Sequence, residues 1–198
     1  SVSAFLLNRS SDLRICYKLV LLNSQVKHDL ATSAYNDRRK SCENVVAAMK
    51  KHWPNVDSLR DATYDMLDEV RSEVSEEDAL RAKYVIGEKY RVLEVCVALE
   101  EGDYEEVGKK MYETHYGLSK EYEVSCPELD FLNDVAHSCG VTGSRIMGGG
   151  FGGCTINLVS DDLYANFIDT AKKAYKEKFG KDPIVIDVVI GDGSRKLC

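Results

Sequence analysis

Residues 143–159, GSRIMGGGFGGCTINLV, place six glycines within eleven positions, five of them at residues 148–153, directly ahead of an apolar, strand-like run. Glycine loses more backbone freedom on folding than any other residue. A cluster is therefore retained where the chain needs positive φ or must come too close to something to carry a side chain. A plain hairpin between strands at residues 144–147 and 155–159 would need only one or two glycines. The rest are in excess of that turn. Successive amides with no side chains over them can form a concave nest of N–H donors for anionic oxygens. Two readings stay open on composition alone: a tight strand connection, or a loop that contacts an anion or nucleotide.

Two familiar nucleotide motifs do not fit. Gly148, Gly150 and Gly153 have G-x-G-x-x-G spacing, but that fingerprint opens a helix after a strand, and residues 154–159 read as strand. A P-loop needs Gly-Lys-Ser/Thr so that a lysine reaches phosphates and a hydroxyl reaches magnesium. That tripeptide does not occur in the chain.

The chain has 198 residues, 44% hydrophobic and 30% charged, enough to bury a core of one large domain. Twenty-six basic residues are interspersed among 33 acidic ones, for a net charge of −7. That balance argues against nucleic acid, whose binding rests on neutralising phosphates with Lys and Arg. Seven cysteines without a C-x-x-C pair suggest neither a disulfide framework nor a zinc site. Most sit among apolar residues and read as buried free thiols in a reducing, cytoplasmic setting. No apolar run reaches the ~20 residues of a bilayer span, so no membrane role is expected. The first residue is Ser1, compatible with processing or with a piece of something longer.

Residues 18–24 form a short apolar run expected as a strand buried on both faces, with residues 4–7 as a candidate outer strand. Helices are expected at residues 33–52, 58–73, 77–99 and 104–122. In the third, Ala82, Val85, Ile86, Tyr90, Leu93 and Val97 form an apolar stripe; in the fourth, Tyr104, Val107, Met111, His115, Leu118 and Tyr122 do. Gly102-Asp103 reads as a turn plus N-cap between an antiparallel pair. His115 lies on that stripe, where a packed core histidine is the ordinary explanation. Ser125-Cys126-Pro127-Glu128 has the form of a capping box and starts a helix to about Ser138. A helix at residues 162–179, stopped by Gly180, and a strand at residues 184–190 complete the order. The sum is an α+β chain: a ferredoxin-like split βαβ antiparallel sheet with several helices inserted in its first crossover.

The glycine-rich segment at residues 143–154 resembles the third signature of the galacto-, homoserine, mevalonate and phosphomevalonate (GHMP) kinases. Asn23-Ser24-Gln25-Val26-Lys27-His28, residues 34–43 (AYNDRRKSCE) and residues 122–130 (YEVSCPELD) are similar to galactokinases. The resemblance runs from about Leu6 to the C-terminus and implies the C-terminal lobe of such a kinase. Residues 18–198 would be that lobe, with residues 1–17 a remnant of the upstream lobe or an edge strand. It further implies ATP-dependent phosphorylation of the anomeric hydroxyl of D-galactose with Mg2+, the catalysis being mostly positioning and electrostatic stabilisation. Tyr35 matches the family tyrosine that contacts the sugar. Gly148, Gly149, Gly150, Gly152 and Gly153 match the loop that closes the site beside the phosphates. Ser24 and Lys27 are weaker candidates for the nucleotide side of the cleft. Asp37, Arg38 and Arg39 have an ordinary explanation as helix-start and salt-bridging residues.

One departure is Ile146-Met147 where galactokinases commonly carry Met-Thr, which removes a hydroxyl beside the loop. The family's first signature, its Gly-Leu-Ser-Ser-Ser phosphate loop and its catalytic aspartate have no counterpart here. Gly117-Leu118-Ser119-Lys120 falls inside a helical stripe and is a decoy. The expectation is a C-terminal half of a galactokinase that is inactive alone, with the N-terminal lobe as its intramolecular partner and ATP and Mg2+ bound mainly there. A sugar-sensing regulatory protein on the same scaffold and an N-acetylgalactosamine kinase are the alternatives.

Overall fold

A computed structural model describes residues 16–26 and 33–191. The candidate outer strand at residues 4–7 and Lys27 lie outside these residues.

Four strands form one antiparallel sheet: β1 Tyr17–Asn23, β2 Gly143–Met147, β3 Cys154–Ser160 and β4 Ile184–Asp187, in the spatial order β2-β3-β1-β4. Val20 faces Asn157 across the central pair, and Leu21 faces Ile186 on the outer side. This is the split βαβ arrangement expected from the element order. Between β1 and β2 lie α1 Ser33–Lys50, α2 Tyr64–Glu69, a 3₁₀ turn Arg71–Glu73, α3 Glu76–Glu101, α4 Tyr104–Lys120 and α5 Pro127–Ser138; α6 Asp161–Phe179 joins β3 to β4.

The helix ends follow their local chemistry. Ser75 caps α3 through Asp78 N–H, Asp103 caps α4 through Glu106 N–H, and Gly102 and Gly180 close α3 and α6 with left-handed backbone. The capping box ahead of α5 does not form. Cys126 occupies the N-cap with no side-chain bond, and the Ser125 hydroxyl turns to Asp130 instead. The helix starts one residue later than the box requires, with Pro127 at its first position, where its missing N–H is no loss.

On one face of the sheet, Val20, Leu22 and Val159 meet Leu132 and Ala136 of α5 and Phe167, Ala171 and Tyr175 of α6. The other face is covered near β3 by Ala98, Val107 and Met111 against Leu158. β1 is therefore not buried on both faces along its length: Val20 and Leu22 are fully enclosed, while Leu19 and Leu21 between them are only half-buried. A second core joins α1, α2 and the first half of α3, with Met49, Val45, Val70 and Ile86 at its centre.

The apolar stripe on α3 holds only as far as Ile86. Tyr90, Leu93 and Val97 are 36%, 58% and 53% exposed. A helix of 26 residues is about 39 Å long, and the buried core it shares with α1 and α2 ends at Ile86. Beyond them a different side turns inward, bringing Ala98 onto the sheet. α4 meets β2 through glycine on both sides: a Cβ on Gly143 would lie 2.5 Å from the Gly108 α-carbon. Among the described residues, no helix is long and apolar enough to cross a membrane.

Candidate functional site

The loop between β2 and β3 departs from hairpin geometry. Gly148, Gly150, Gly152 and Gly153 have φ of +90°, +78°, +137° and +80°, and Phe151 among them is also left-handed at +58°. Side chains strongly disfavour that region. The two other non-glycine residues of the described chain with positive φ, Gln25 and Glu123, sit in the two segments that hold this loop. Strained backbone gathered in one place marks a position over-determined by its surroundings.

Two sequence-distant pieces, residues 24–26 and the segment around Val124, do the holding. Phe151 N–H donates to Val124 C=O at 2.6 Å, and Gly153 N–H donates to Val26 C=O at 3.2 Å. Ser24 donates to Gly153 C=O twice, from its N–H at 2.9 Å and its hydroxyl at 2.8 Å, and its own C=O accepts from Tyr175 Oη at 2.7 Å. A Cβ on Gly150 would meet Val124 O at 2.2 Å, and one on Gly152 would meet Val26 O at 2.6 Å. The glycines are thus needed for the close approach of flanking backbone. Gly148 and Gly149 differ: both are exposed, and a Cβ on Gly148 meets nothing within 4 Å. Their amides donate to no acceptor among the described residues.

Arg38 ties the loop to its support. From α1 it donates through Nε to Tyr122 C=O at 3.1 Å and through Nη2 to Glu123 C=O at 2.7 Å, while its guanidinium lies 5.6 Å from the Phe151 ring centroid. Glu123 is held from its other end by Arg81, which also reaches Ser41. The salt-bridging reading of Arg38 holds, since Nη2 lies 3.7 Å from a Glu123 carboxylate oxygen, but it is not the whole of its role. Its side chain is mostly buried, and its hydrogen bonds go to the linker between α4 and α5. Arg38→Ala is expected to destabilise the protein by about 2–3 kcal/mol in urea titration, since two charge-assisted bonds to carbonyls are lost. Arg38→Lys should recover little, because an ammonium cannot span both carbonyls as the guanidinium fork does.

Residues 96–177 match the family model for the C-terminal domain of the GHMP kinases. Galactokinases of Clostridium beijerinckii and Homo sapiens are 41% and 40% identical to the chain over 183 and 181 residues, 91% of this chain in each case. Residues 96–177 form a GHMP kinase C-terminal domain. It spans about half the length of the curated relatives it matches, 47% and 44% of these two. The crystal structure of Lactococcus lactis galactokinase complexed with galactose matches with a TM-score of 0.84 at 30% identity, covering 91% of this chain and 47% of that one. The crystal structure of L. major mevalonate kinase in complex with R-mevalonate matches with a TM-score of 0.57 at 21% identity, covering 87% of this chain and 41% of that one, and shares the fold.

Other candidates take their places around this GHMP kinase loop. Tyr35 lies in the first turn of α1, 46% exposed, one turn before Arg38 and within electrostatic reach of Tyr122. It is therefore at the same corner as the linker that Arg38 grips. Ser24 is fully buried and its hydroxyl is engaged with Gly153, so it braces the loop from below and does not face a cleft. Met147, at the end of β2 beside Gly148, is 45% exposed. The decoy Gly117 is a helix contact: a Cβ there would press into the Tyr84 ring at 2.4 Å. The signal that would have found Arg38 and Val124 was present in the stretches at residues 34–43 and 122–130, which meet in space.

His115 is the packed histidine anticipated from its stripe. It is 6% exposed, with Nε2 3.2 Å from Asp130 Oδ1. Burial alone would raise the Asp130 pKa, but hydrogen bonds from His115, Ser125 and Ser119 outweigh it and hold the carboxyl at about 2. A depressed carboxylate pKa stabilises the fold above its unfolded value of 3.8, and that contribution disappears as pH falls through about 2. With a third of the side chain open to solvent, the contribution is of order 1–2 kcal/mol. Acid denaturation of the wild type and Asp130→Asn should therefore differ at pH 5 and converge near pH 2.

Proposed function

We propose that this chain is the C-terminal portion of an ATP-dependent galactokinase that phosphorylates D-galactose at its anomeric hydroxyl in the cytoplasm. The observation that carries the reading is the glycine loop, whose left-handed backbone is clamped by two distant segments while the exposed amides of Gly148 and Gly149 remain uncommitted. Amides fixed in advance stabilise negative charge without reorganising at the moment of reaction. In this role they would hold phosphoryl oxygens of ATP, which supplies the transferred group when bound. Tyr35 would contact the sugar from α1. Gly148, Gly149, Gly150, Gly152 and Gly153 would close the site, and Ser24 would act only through Gly153. Among the described residues, no group of three or more His, Cys, Asp or Glu is placed to hold a metal ion. On this reading Mg2+ and the group that removes the sugar proton come from an N-terminal lobe packed against this one.

The experiment is galactose-dependent ATP turnover by a full-length protein carrying these residues, with the 198-residue chain alone and N-acetylgalactosamine run beside it. Turnover by the full-length protein on galactose, with the lone chain inert, is the expected result. Galactose binding without turnover would replace the proposal with a sugar sensor. Preference for N-acetylgalactosamine would replace the substrate.

A further inference from the structure

We infer that Asp130, acting through Ser125 and Val124, is a positioning residue for the glycine loop. The inference rests on the proposed role of that loop in phosphoryl transfer, but its central test does not. Asp130 sits in the first turn of α5 and gathers three donors from two other segments. Its Oδ2 accepts from Ser119 Oγ at 3.0 Å, and its Oδ1 accepts from Ser125 Oγ and lies 3.2 Å from His115 Nε2. Ser119 and His115 belong to α4, and Ser125 belongs to the linker at residues 121–126. One carboxylate therefore sets where the linker leaves α4 and enters α5.

The residue next to Ser125 is Val124, whose N–H donates to Leu118 C=O at 2.9 Å and whose C=O receives Phe151 N–H at 2.6 Å. The same carbonyl is the atom against which Gly150 packs. The path from Asp130 to the loop is thus two adjacent residues and two hydrogen bonds long. At the other end of the linker, Tyr122 and Glu123 are fixed by Arg38. With both ends held, the Val124 carbonyl has one available position, and the left-handed Phe151 must come to it. Loss of Asp130 would free the α5 end and let that carbonyl swing, with the loop following.

A purely structural role would loosen the whole domain, whereas the positioning role loosens the loop first. The test is amide hydrogen exchange on the full-length protein, comparing wild type with Asp130→Ala and with the milder Ser125→Ala, which removes only the linker contact. Exchange in peptides covering residues 147–154 should rise at least tenfold, while peptides from α1 and α6 stay within twofold. The turnover number should fall at least tenfold with the sugar KM within about twofold, and Asp130→Asn should recover part of both. Unchanged loop exchange, or a rise shared equally by α1 and α6, would overturn the inference. Faster loop exchange in a protein without kinase activity would support the positioning role and count against the galactokinase reading alone. Should Asp130→Ala fail to fold, Ser125→Ala decides by the same criteria.

Discussion

Gly150→Ala is expected, on the proposed kinase reading, to lower turnover by the full-length protein at least 100-fold while leaving it folded. Two effects add at this position. The backbone φ of +78° is unfavourable for any residue with a Cβ, by about 1–2 kcal/mol. The Cβ would also lie 2.2 Å from the Val124 carbonyl oxygen, a backbone atom that cannot rotate aside. The loop can relieve that overlap only by moving roughly an ångström away, which breaks the Phe151–Val124 hydrogen bond and carries Gly148 and Gly149 with it. Displacement of that size from a reacting geometry costs on the order of 100-fold in rate. Gly148→Ala is the control. Its φ is +90° but nothing lies within 4 Å of the added atom, so strain without displacement should reduce turnover by less than about tenfold. Steady-state turnover of the two variants at saturating ATP and sugar makes the comparison. Equal losses would mean that backbone strain, not the seat on Val124, sets the loop.

The largest stability effect is expected at Gly108→Ala, on the face where α4 lies against β2. The new Cβ would stand 1.9 Å from Thr142 O and 2.5 Å from its carbonyl carbon, both backbone atoms. Neither neighbour is the end of a flexible side chain. The helix must lift from the strand, opening the packing of Val107 and Met111 around Leu158. A cost of about 3–4 kcal/mol follows, at or above the top of the usual range for overpacking. For a chain of this size that corresponds to a melting temperature lower by roughly 10 °C. Gly87 gives the contrast: its nearest neighbour is the Tyr64 hydroxyl at 2.8 Å, which can swing away. Gly87→Ala should therefore shift the thermal midpoint by no more than a few degrees, or even raise it through better helix propensity.

Much of this architecture was legible because its determinants are local. The Gly102-Asp103 junction, the Gly180 stop and the short apolar strands each write their geometry within a few residues, and the strand order follows from the sequence of elements. The glycine loop was legible for the same reason. What stayed hidden were relations between distant segments. Arg38 looks like any helix-start cation until Tyr122 and Glu123, more than 80 residues away, present their carbonyls to it. Ser24 looks like a turn serine until Gly153 closes over it. Ser125 satisfies a local capping pattern, but Asp130 is a stronger acceptor and turns its hydroxyl elsewhere. The exposed end of the α3 stripe shows the converse limit, since periodicity reports that a face is apolar and not what covers it.

The central strands also govern when the domain can form. Val20 of β1 is joined through its carbonyl to Asn157 of β3, 137 residues later in the chain. At a synthesis rate of roughly 5–20 residues per second, β1 leaves the ribosome about 7–27 s before its partner is made. During that interval the local contacts of α1 to α4 can assemble, because closing short loops comes early and long-range pairing comes late. Leu19 to Leu22 meanwhile form an unpaired apolar edge, the kind of surface that chaperones shield and that aggregates when left bare. The glycine loop takes shape only when residues 148–153 reach Val26 and Val124, so a nascent or partly unfolded chain lacks the geometry that the proposed phosphate contact requires.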